Sequence, residues 1–202
     1  MFEKLKALFT SAPKEPRDLK AGASYATLGA GCFWGVETAF RRKFGTAIVD
    51  GQVRVGYSGG TAEGASYRTV CNGTTGHAES VHFEFNPERV SYAEILDFFF
   101  RMHDPTTANQ QGGDRGTQYR SVIFCHDNEQ RAAAITAVKK YQSAFGKSRI
   151  STKIENFDGF WDAEEYHQQY LDKNPSGYHC STHFERTWQK IADEYGGIVD
   201  WP

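Results

Sequence analysis

The spacing of apolar residues changes repeatedly along this chain, and that alternation most constrains its fold. Val53, Val55 and Tyr57 alternate with Gln52, Arg54 and Gly56, and Val81, Phe83 and Phe85 alternate with Ser80, His82 and Glu84. A two-residue period buries one face of an extended chain, so both stretches read as strands, the second stopped by Pro87. Val36, Ala39, Phe40 and Phe44 instead share one helical face, closed by Gly45. Ser91 with Glu94 forms a capping box ahead of Ile95, Leu96, Phe98, Phe99 and Met102, and Asp104-Pro105 ends that helix.

The same reasoning extends along the chain. Ala23–Leu28 reads as a strand ended by Gly29-Ala30-Gly31, Ser121–Cys125 as a buried strand, and Ser151–Asn156 as another. Asp127 and Gln130 cap a helix carrying Ala134, Ile135, Val138 and Phe145 and closed by Gly146. Asp162 with Glu165 is expected to open a further helix, with Trp161 stapled onto Tyr166. Thr182 with Glu185 is expected to open the last one, with Phe184, Trp188, Ile191 and Tyr195 on one face. The order β-α-β-β-α-β-α-β-α predicts an α+β domain of two layers, helices on an antiparallel or mixed sheet.

Length and composition bound the rest. With 202 residues, 39% of them hydrophobic and 14% aromatic, the chain supports one packed domain. Residues 1–22 are charged, carry Pro13 and Pro16 and show little period, so they read as a flexible segment before a single domain over 23–202. A net charge of −2 argues against a nucleic-acid binder. No apolar run suits a membrane span, and the first residues lack the core of a secretory signal. Four cysteines do not make a disulfide scaffold. The expectation is a cytoplasmic monomer with reduced thiols.

Cys32 is the first candidate for chemistry. It follows a strand and a Gly-x-Gly turn and opens a helix, where unpaired N–H groups favour a thiolate. A small buried cysteine without a role is the plain alternative, and position alone divides the two evenly. Phe33 and Trp34 point about 100° apart on a helix, so both reach one core only with difficulty, and beside a nucleophile they can wall an apolar pocket. Glu79 stands at the mouth of the Val81–Phe85 strand, where apolar surroundings would raise its pKa and make it an acid. Read alone it is a solvated strand end.

The polar stretch 106–117 is long enough to be functional or disordered. It leads into Tyr119, which with Tyr67 can present a hydroxyl, although each is individually an ordinary packed tyrosine. Asp114 can hold a neighbouring donor or serve an Asx turn. Cys125 lies in a buried strand, whereas Cys71 precedes an Asn72-Gly73 turn. Cys180 follows the turn-rich 174–179 stretch, as a resolving thiol requires. His179, Cys180 and His183 lack the paired spacings of structural zinc sites, so no metal is expected. Cys32 with a histidine such as His77 and a carboxylate could also hydrolyse an ester or amide.

Gly31-Cys32-Phe33-Trp34-Gly35 strongly resembles the signature of the A-type peptide methionine sulfoxide reductases. The resemblance continues through Gly56-Tyr57-Ser58-Gly59-Gly60, Tyr67-Arg68, Thr75-Gly76-His77-Ala78-Glu79, His103-Asp104-Pro105-Thr106, Gly113–Ser121 and Tyr166-His167-Gln168-Gln169-Tyr170-Leu171. It implies a two-layer sandwich of ferredoxin-like type and reduction of the S epimer of methionine sulfoxide, free or in oxidised proteins. It implies Cys32 as nucleophile, Glu79 as acid, a methyl cradle of Phe33 and Trp34, and Tyr67, Asp114 and Tyr119 organising the sulfoxide site. It also implies no bound cofactor, and reducing equivalents from thioredoxin or a small dithiol. The tail departs from many members: His179 separates Gly177-Tyr178 from Cys180, a second recycling cysteine is absent, and a helix replaces the Gly-rich end. Cys180 is then the natural resolving thiol, with Cys71 its competitor.

Overall fold

The computed structural model describes residues 17–61, 65–178 and 181–201. The first half of the chain builds β1 (Tyr25–Ala30), α1 (Phe33–Phe44), β2 (Arg54–Ser58), α2 (Tyr67–Cys71), β3 (Ala78–Glu84) and α3 (Tyr92–Met102). There follow β4 (Gln110–Gln111), β5 (Asp114–Arg115), β6 (Ser121–Cys125), α4 (Asn128–Tyr141), β7 (Lys153–Asn156), β8 (Trp161–Asp162), α5 (Tyr170–Lys173) and α6 (Trp188–Tyr195). The strands form a six-stranded sheet in the order β7-β6-β1-β3-β2-β8, with β4 and β5 as a separate hairpin. Every pairing in the large sheet is antiparallel except β6 with β7. The result is a mixed α/β domain with a mainly antiparallel sheet and packed helices.

The two-residue period decides which face is which. Val81 and Phe83 turn to the main core with Leu28, Val55, Phe40 and Phe98. There the Phe40 ring meets Phe83 at 5.4 Å and Phe98 edge-on at 5.1 Å, an arrangement ring quadrupoles favour. On the opposite face Ala78, Val122 and Phe124 pack with Phe157. His82, also on that face, stacks against Tyr25 and Phe160. The expected capping box is present at α3, where Ser91 accepts from the Glu94 amide and Glu94 accepts from the Ser91 amide. Asp127 likewise accepts from the Gln130 amide at the start of α4.

Several expectations need correction. Asp162 does not open a helix: Trp161 and Asp162 pair with Tyr57 and Gly56 as the edge strand β8. Asp162 instead holds Arg17 at 2.7 Å and Arg54 at 3.1 Å, and only the short α5 follows. A carboxylate beside two guanidinium groups has better partners than the amides of a first helical turn. The last helix begins five residues later than its capping pattern suggests, with Thr187 rather than Thr182 accepting from a helix amide. Phe184 therefore stands outside α6 and is exposed. Ile135 on α4 is exposed as well, while Ala134 and Ala137 carry that helix's buried face.

The stretch at 106–117 is ordered by the β4–β5 hairpin and a 3₁₀ turn over Thr117–Tyr119. Of the segment expected to be flexible, residues 1–16 lie outside the described residues. Arg17 donates its backbone N–H to Phe160 O, and Lys20 pairs with Glu84.

Removing the capping box tests this local reading. Ser91→Ala should cost about 1 kcal/mol and lower Tm by roughly 2–4 °C without changing the catalytic rate. Thermal unfolding followed by circular dichroism measures it, and an unchanged Tm would contradict the role given to Ser91.

Candidate active site

Gly31 sets the geometry at the head of α1. Its φ of +90° turns the chain from β1 into the helix, and a side chain there would meet Gln111 and His183. The turn leaves Cys32 as the N-cap residue of α1, buried at 7% exposure. Four residues on, the His183 ring lies against Gly35, where a Cβ would collide with it. His183 Nε2 donates to Ala30 O at 2.6 Å, so the tail segment is fastened to the end of β1. A carbonyl can only accept, so the proton sits on Nε2 and Nδ1 is the bare nitrogen.

The second member comes from β3. Glu79 is 2% exposed, and its carboxylate accepts the Phe33 backbone N–H at 3.0 Å. That bond uses one of the free amides at the start of α1 and holds Glu79 against the helix that Cys32 opens. Burial pushes the Glu79 carboxyl up to about 8; the Phe33 amide pulls it down and the Asp114 charge adds to the rise. At neutral pH Glu79 therefore carries its proton and can donate it.

Sequence reasoning expected the helix N-terminus to favour a Cys32 thiolate. The amides of Trp34 and Gly35 do pull the thiol pKa down. Burial and the Glu79 carboxylate push it up more strongly, and the net displacement is upward. The loss of water outweighs the helix-end field because the thiolate has almost no solvent left to it. The resting site thus holds both a thiol and a carboxylic acid.

A cavity of about 240 Å³ opens over this pair, lined by Cys32, Phe33, Trp34, Tyr67, Glu79, Asp114, Tyr119 and Tyr178. All the predicted site residues except Cys180 converge there, from α1, α2, β3, the β4–β5 hairpin and the 3₁₀ turn. Small-molecule sites usually measure about 300–1,000 Å³, so this one suits an amino-acid side chain better than an organic cofactor. Burial pushes the Tyr67 and Tyr119 hydroxyls up, and both remain neutral donors. Asp114 accepts from the Tyr178 hydroxyl at 3.1 and 3.2 Å.

The apolar wall is built on Trp34. Its ring stacks on Tyr170 with centroids 3.8 Å apart, and its Nε1 donates to His167 Nδ1 at 3.1 Å. His167 also packs on Phe33 and Tyr67, and burial lowers its pKa to about 4, leaving it a neutral acceptor. Glu164 accepts from the Tyr57 hydroxyl at 3.1 Å and from the Tyr67 amide at 3.0 Å, which fixes the start of α2. Glu164 was not singled out from sequence, and His167, Tyr170 and Tyr178 entered only within stretches compared with the family, with no role of their own.

Cys180 and His179 lie outside the described residues. Cys71 is half-buried one helical turn from Tyr67, with its thiol facing the Tyr67 hydroxyl. Cys125 is buried in β6. His77 is not in the cavity wall: it packs edge-on against Trp161 at 5.1 Å and abuts Gly60, so it is no base for Cys32. Among the described residues, no group of three His, Cys, Asp or Glu side chains is arranged to hold a metal ion.

These couplings fix the sign of a reactivity test. Alkylation of Cys32 by iodoacetamide at pH 7 should run well below the rate of an exposed thiol. Glu79→Gln should accelerate it at pH 9, where the native carboxylate is charged, and change it little at pH 6.5, where the carboxyl is neutral. Site-resolved mass spectrometry gives both rates; a free-thiol rate at pH 7 would contradict the protonated site.

A family model for peptide methionine sulfoxide reductase matches residues 24–197. A protein of Methanothermobacter thermautotrophicus named peptide methionine sulfoxide reductase MsrA is 56% identical over 153 residues, 74% of this chain and 87% of that one. Reduced Mxr1 from Saccharomyces cerevisiae superposes with a TM-score of 0.78 at 41% identity, covering 88% of this chain and 98% of the other. Mxr1 in complex with Trx2 matches with a TM-score of 0.58 at 27% identity, covering 85% of this chain and 96% of that one.

Proposed function

The chain belongs to the peptide methionine sulfoxide reductase family, and on that premise we propose how its residues divide the reaction. The overall reaction is reduction of methionine sulfoxide to methionine, with Cys32 supplying the two electrons. The observation that carries the division of roles is the single small cavity in which a thiol, a protonated carboxyl, two tyrosine hydroxyls and an indole meet.

Phe33 and Trp34 receive the methyl group, and Tyr67 and Tyr119 direct their hydroxyls to the sulfoxide oxygen. Asp114 orients that polar side together with Tyr178. Membership of the family implies the S epimer at sulfur, and a fixed methyl wall with fixed oxygen donors would accept one hand only. Cys32 sulfur attacks the electrophilic sulfoxide sulfur. Glu79 gives its proton to the oxygen and is reprotonated by the one the thiol releases. The sulfur–sulfur bond made in the attack and the substrate's sulfur–oxygen bond then both break as the hydroxyl passes to Cys32, so methionine leaves and Cys32 is left as a sulfenic acid. Hydrogen bonds to the oxygen strengthen as its charge grows, which lowers the barrier.

Cys180 then attacks the sulfenic sulfur; water leaves and a Cys32–Cys180 disulfide forms. Thioredoxin, or a small dithiol in its place, returns both thiols by exchange. The Mxr1–Trx2 complex supports that choice of reductant. No bound cofactor enters the balance. The substrates are oxidised proteins and free methionine sulfoxide, and the product is a repaired methionine.

The topology supports a finer reading of the fold. The run β1-α1-β2-β3-α3-β6, with sheet order β6-β1-β3-β2, has the split β-α-β form of a ferredoxin-like two-layer core. Residues 23–202 then make up one catalytic domain. The described cysteines, Cys32, Cys71 and Cys125, are all free thiols, which suits a cytoplasmic monomer. No helix among the described residues is long and apolar enough to cross a membrane.

Three variants test the assignment with a methionine sulfoxide peptide. Cys32→Ser should abolish reduction with every reductant, and substantial residual activity would overturn the nucleophile. Glu79→Gln should slow single turnover by about 10²–10⁴-fold at neutral pH, and a rate within a few-fold of wild type would leave Glu79 only structural. Cys180→Ser should keep one turnover, accumulate sulfenic acid on Cys32 and lose thioredoxin-linked cycling. A mapped Cys32–Cys71 bridge would transfer the resolving role to Cys71.

A further inference from the structure

Glu37 is a fully buried carboxylate that the reaction does not use. It lies on α1 one turn beyond Trp34 and is 0% exposed. Its Oε1 accepts the Gln169 backbone N–H at 2.8 Å, while Oε2 has no hydrogen-bond partner among the described residues. Burial pushes its carboxyl up to about 7; the Gln169 amide, Arg41 and Arg54 pull it down, and Asp172 pushes it up. A carboxylate kept in such a place, with one oxygen unanswered, costs stability unless it holds something in return.

What it holds is strained. Gln169 has φ 53° and ψ 39°, the left-handed region that a residue with a side chain adopts at a cost. Gln169 is also the N-cap of α5, and the next residue is Tyr170, whose ring lies flat on Trp34 at 3.8 Å and 12°. Arg41, one turn beyond Glu37, pairs with Asp172 on α5. Two successive turns of α1 therefore grip α5, and the grip sets the face against which the cavity's indole rests.

Building on the reading that this cavity reduces methionine sulfoxide, we propose that Glu37 is a positioning residue for substrate binding: it holds Gln169 left-handed so that Tyr170 backs Trp34. Glu37 touches neither the substrate nor Cys32. Its loss loosens the apolar wall and leaves the thiol and the acid in place, so the effect falls on affinity rather than on the chemical step. An amide oxygen accepts the Gln169 N–H as a carboxylate does, so glutamine substitutes for glutamate here. It could not do so for a group that must exchange a proton.

The test is single-turnover reduction of a methionine sulfoxide peptide at increasing peptide concentration, with wild type in parallel. Glu37→Ala should raise the half-saturating concentration about tenfold and leave the limiting rate within about threefold. Glu37→Gln should stay within about threefold of wild type in both parameters. Tyr170→Leu should resemble Glu37→Ala, and the double variant should be little worse than either single one, because both remove the same support. Should Glu37→Ala not fold, Glu37→Gln and Tyr170→Leu decide by the same criteria. Unchanged saturation in Glu37→Ala or Tyr170→Leu, a fall confined to the limiting rate, or a Glu37→Gln as impaired as Glu37→Ala would overturn the inference. An active wild type alongside those results overturns this inference alone, whereas an inactive wild type overturns the reading beneath it as well.

Discussion

The hydrogen bond from the Phe33 amide to Glu79 is the interaction on which the site depends. It joins the central strand β3 to the first turn of α1 at 3.0 Å, between two buried residues. One bond therefore sets two distances at once: the acid to the nucleophile's helix, and the helix to the sheet. It also limits how far the Glu79 carboxyl rises, since the amide favours the charged form while burial opposes it. The balance leaves Glu79 protonated at neutral pH and close enough to neutrality to give the proton up.

Around that pair, part of the cavity wall comes from irregular chain. Asp114 is carried by a hairpin of two-residue strands and Tyr119 by a 3₁₀ turn. Trp34 belongs to α1, but its orientation is set by His167 and Tyr170, on a segment that follows an edge strand. The division is physical. Cys32 and Glu79 sit where helix bonds and strand ladders fix the backbone, and irregular chain completes the rest of the cavity wall. The same segment reaches back to the core through Gln168, whose side chain bonds both the N–H and the C=O of Val55. This fastens the recognition wall to β2 without a regular element.

The sequence was most legible where local chemistry decided the outcome. The two-residue periods of Val53–Tyr57 and Val81–Phe85 mark β2 and β3 because their apolar residues all turn to the main core, although Ser80 and His82 on the other face of β3 are buried as well. The Ser91 and Asp127 caps act within one turn of chain, so their residues suffice to identify them. Asp162 failed as a helix signal because its partners, Arg17 and Arg54, are distant in sequence. Thr182 failed because Thr187 offers the same hydroxyl one turn closer to the apolar face of Ile191. In the site, the Gly-flanked helix start left Cys32 evenly divided between a reactive and a plain buried thiol, and the family resemblance is what named it together with Glu79, Tyr67, Asp114 and Tyr119. Glu37 carries no signal in the sequence, since nothing local reveals that Gln169 would fold onto it. The thiol's upward shift was hidden for a related reason: burial is a property of the assembled site, whereas the helix-end field is local.

The central claim is that Glu79 works as a protonated acid beside a thiol that burial keeps from ionising. The pH dependence of single-turnover sulfoxide reduction in wild type, set beside Glu79→Gln, tests it most directly. The account predicts a wild-type rate that is level from pH 6 to 7 and falls about tenfold per unit above about pH 8, with no such fall in Glu79→Gln. A wild-type rate that climbs steadily through pH 8–9, as for a reaction limited by thiolate formation, would contradict it.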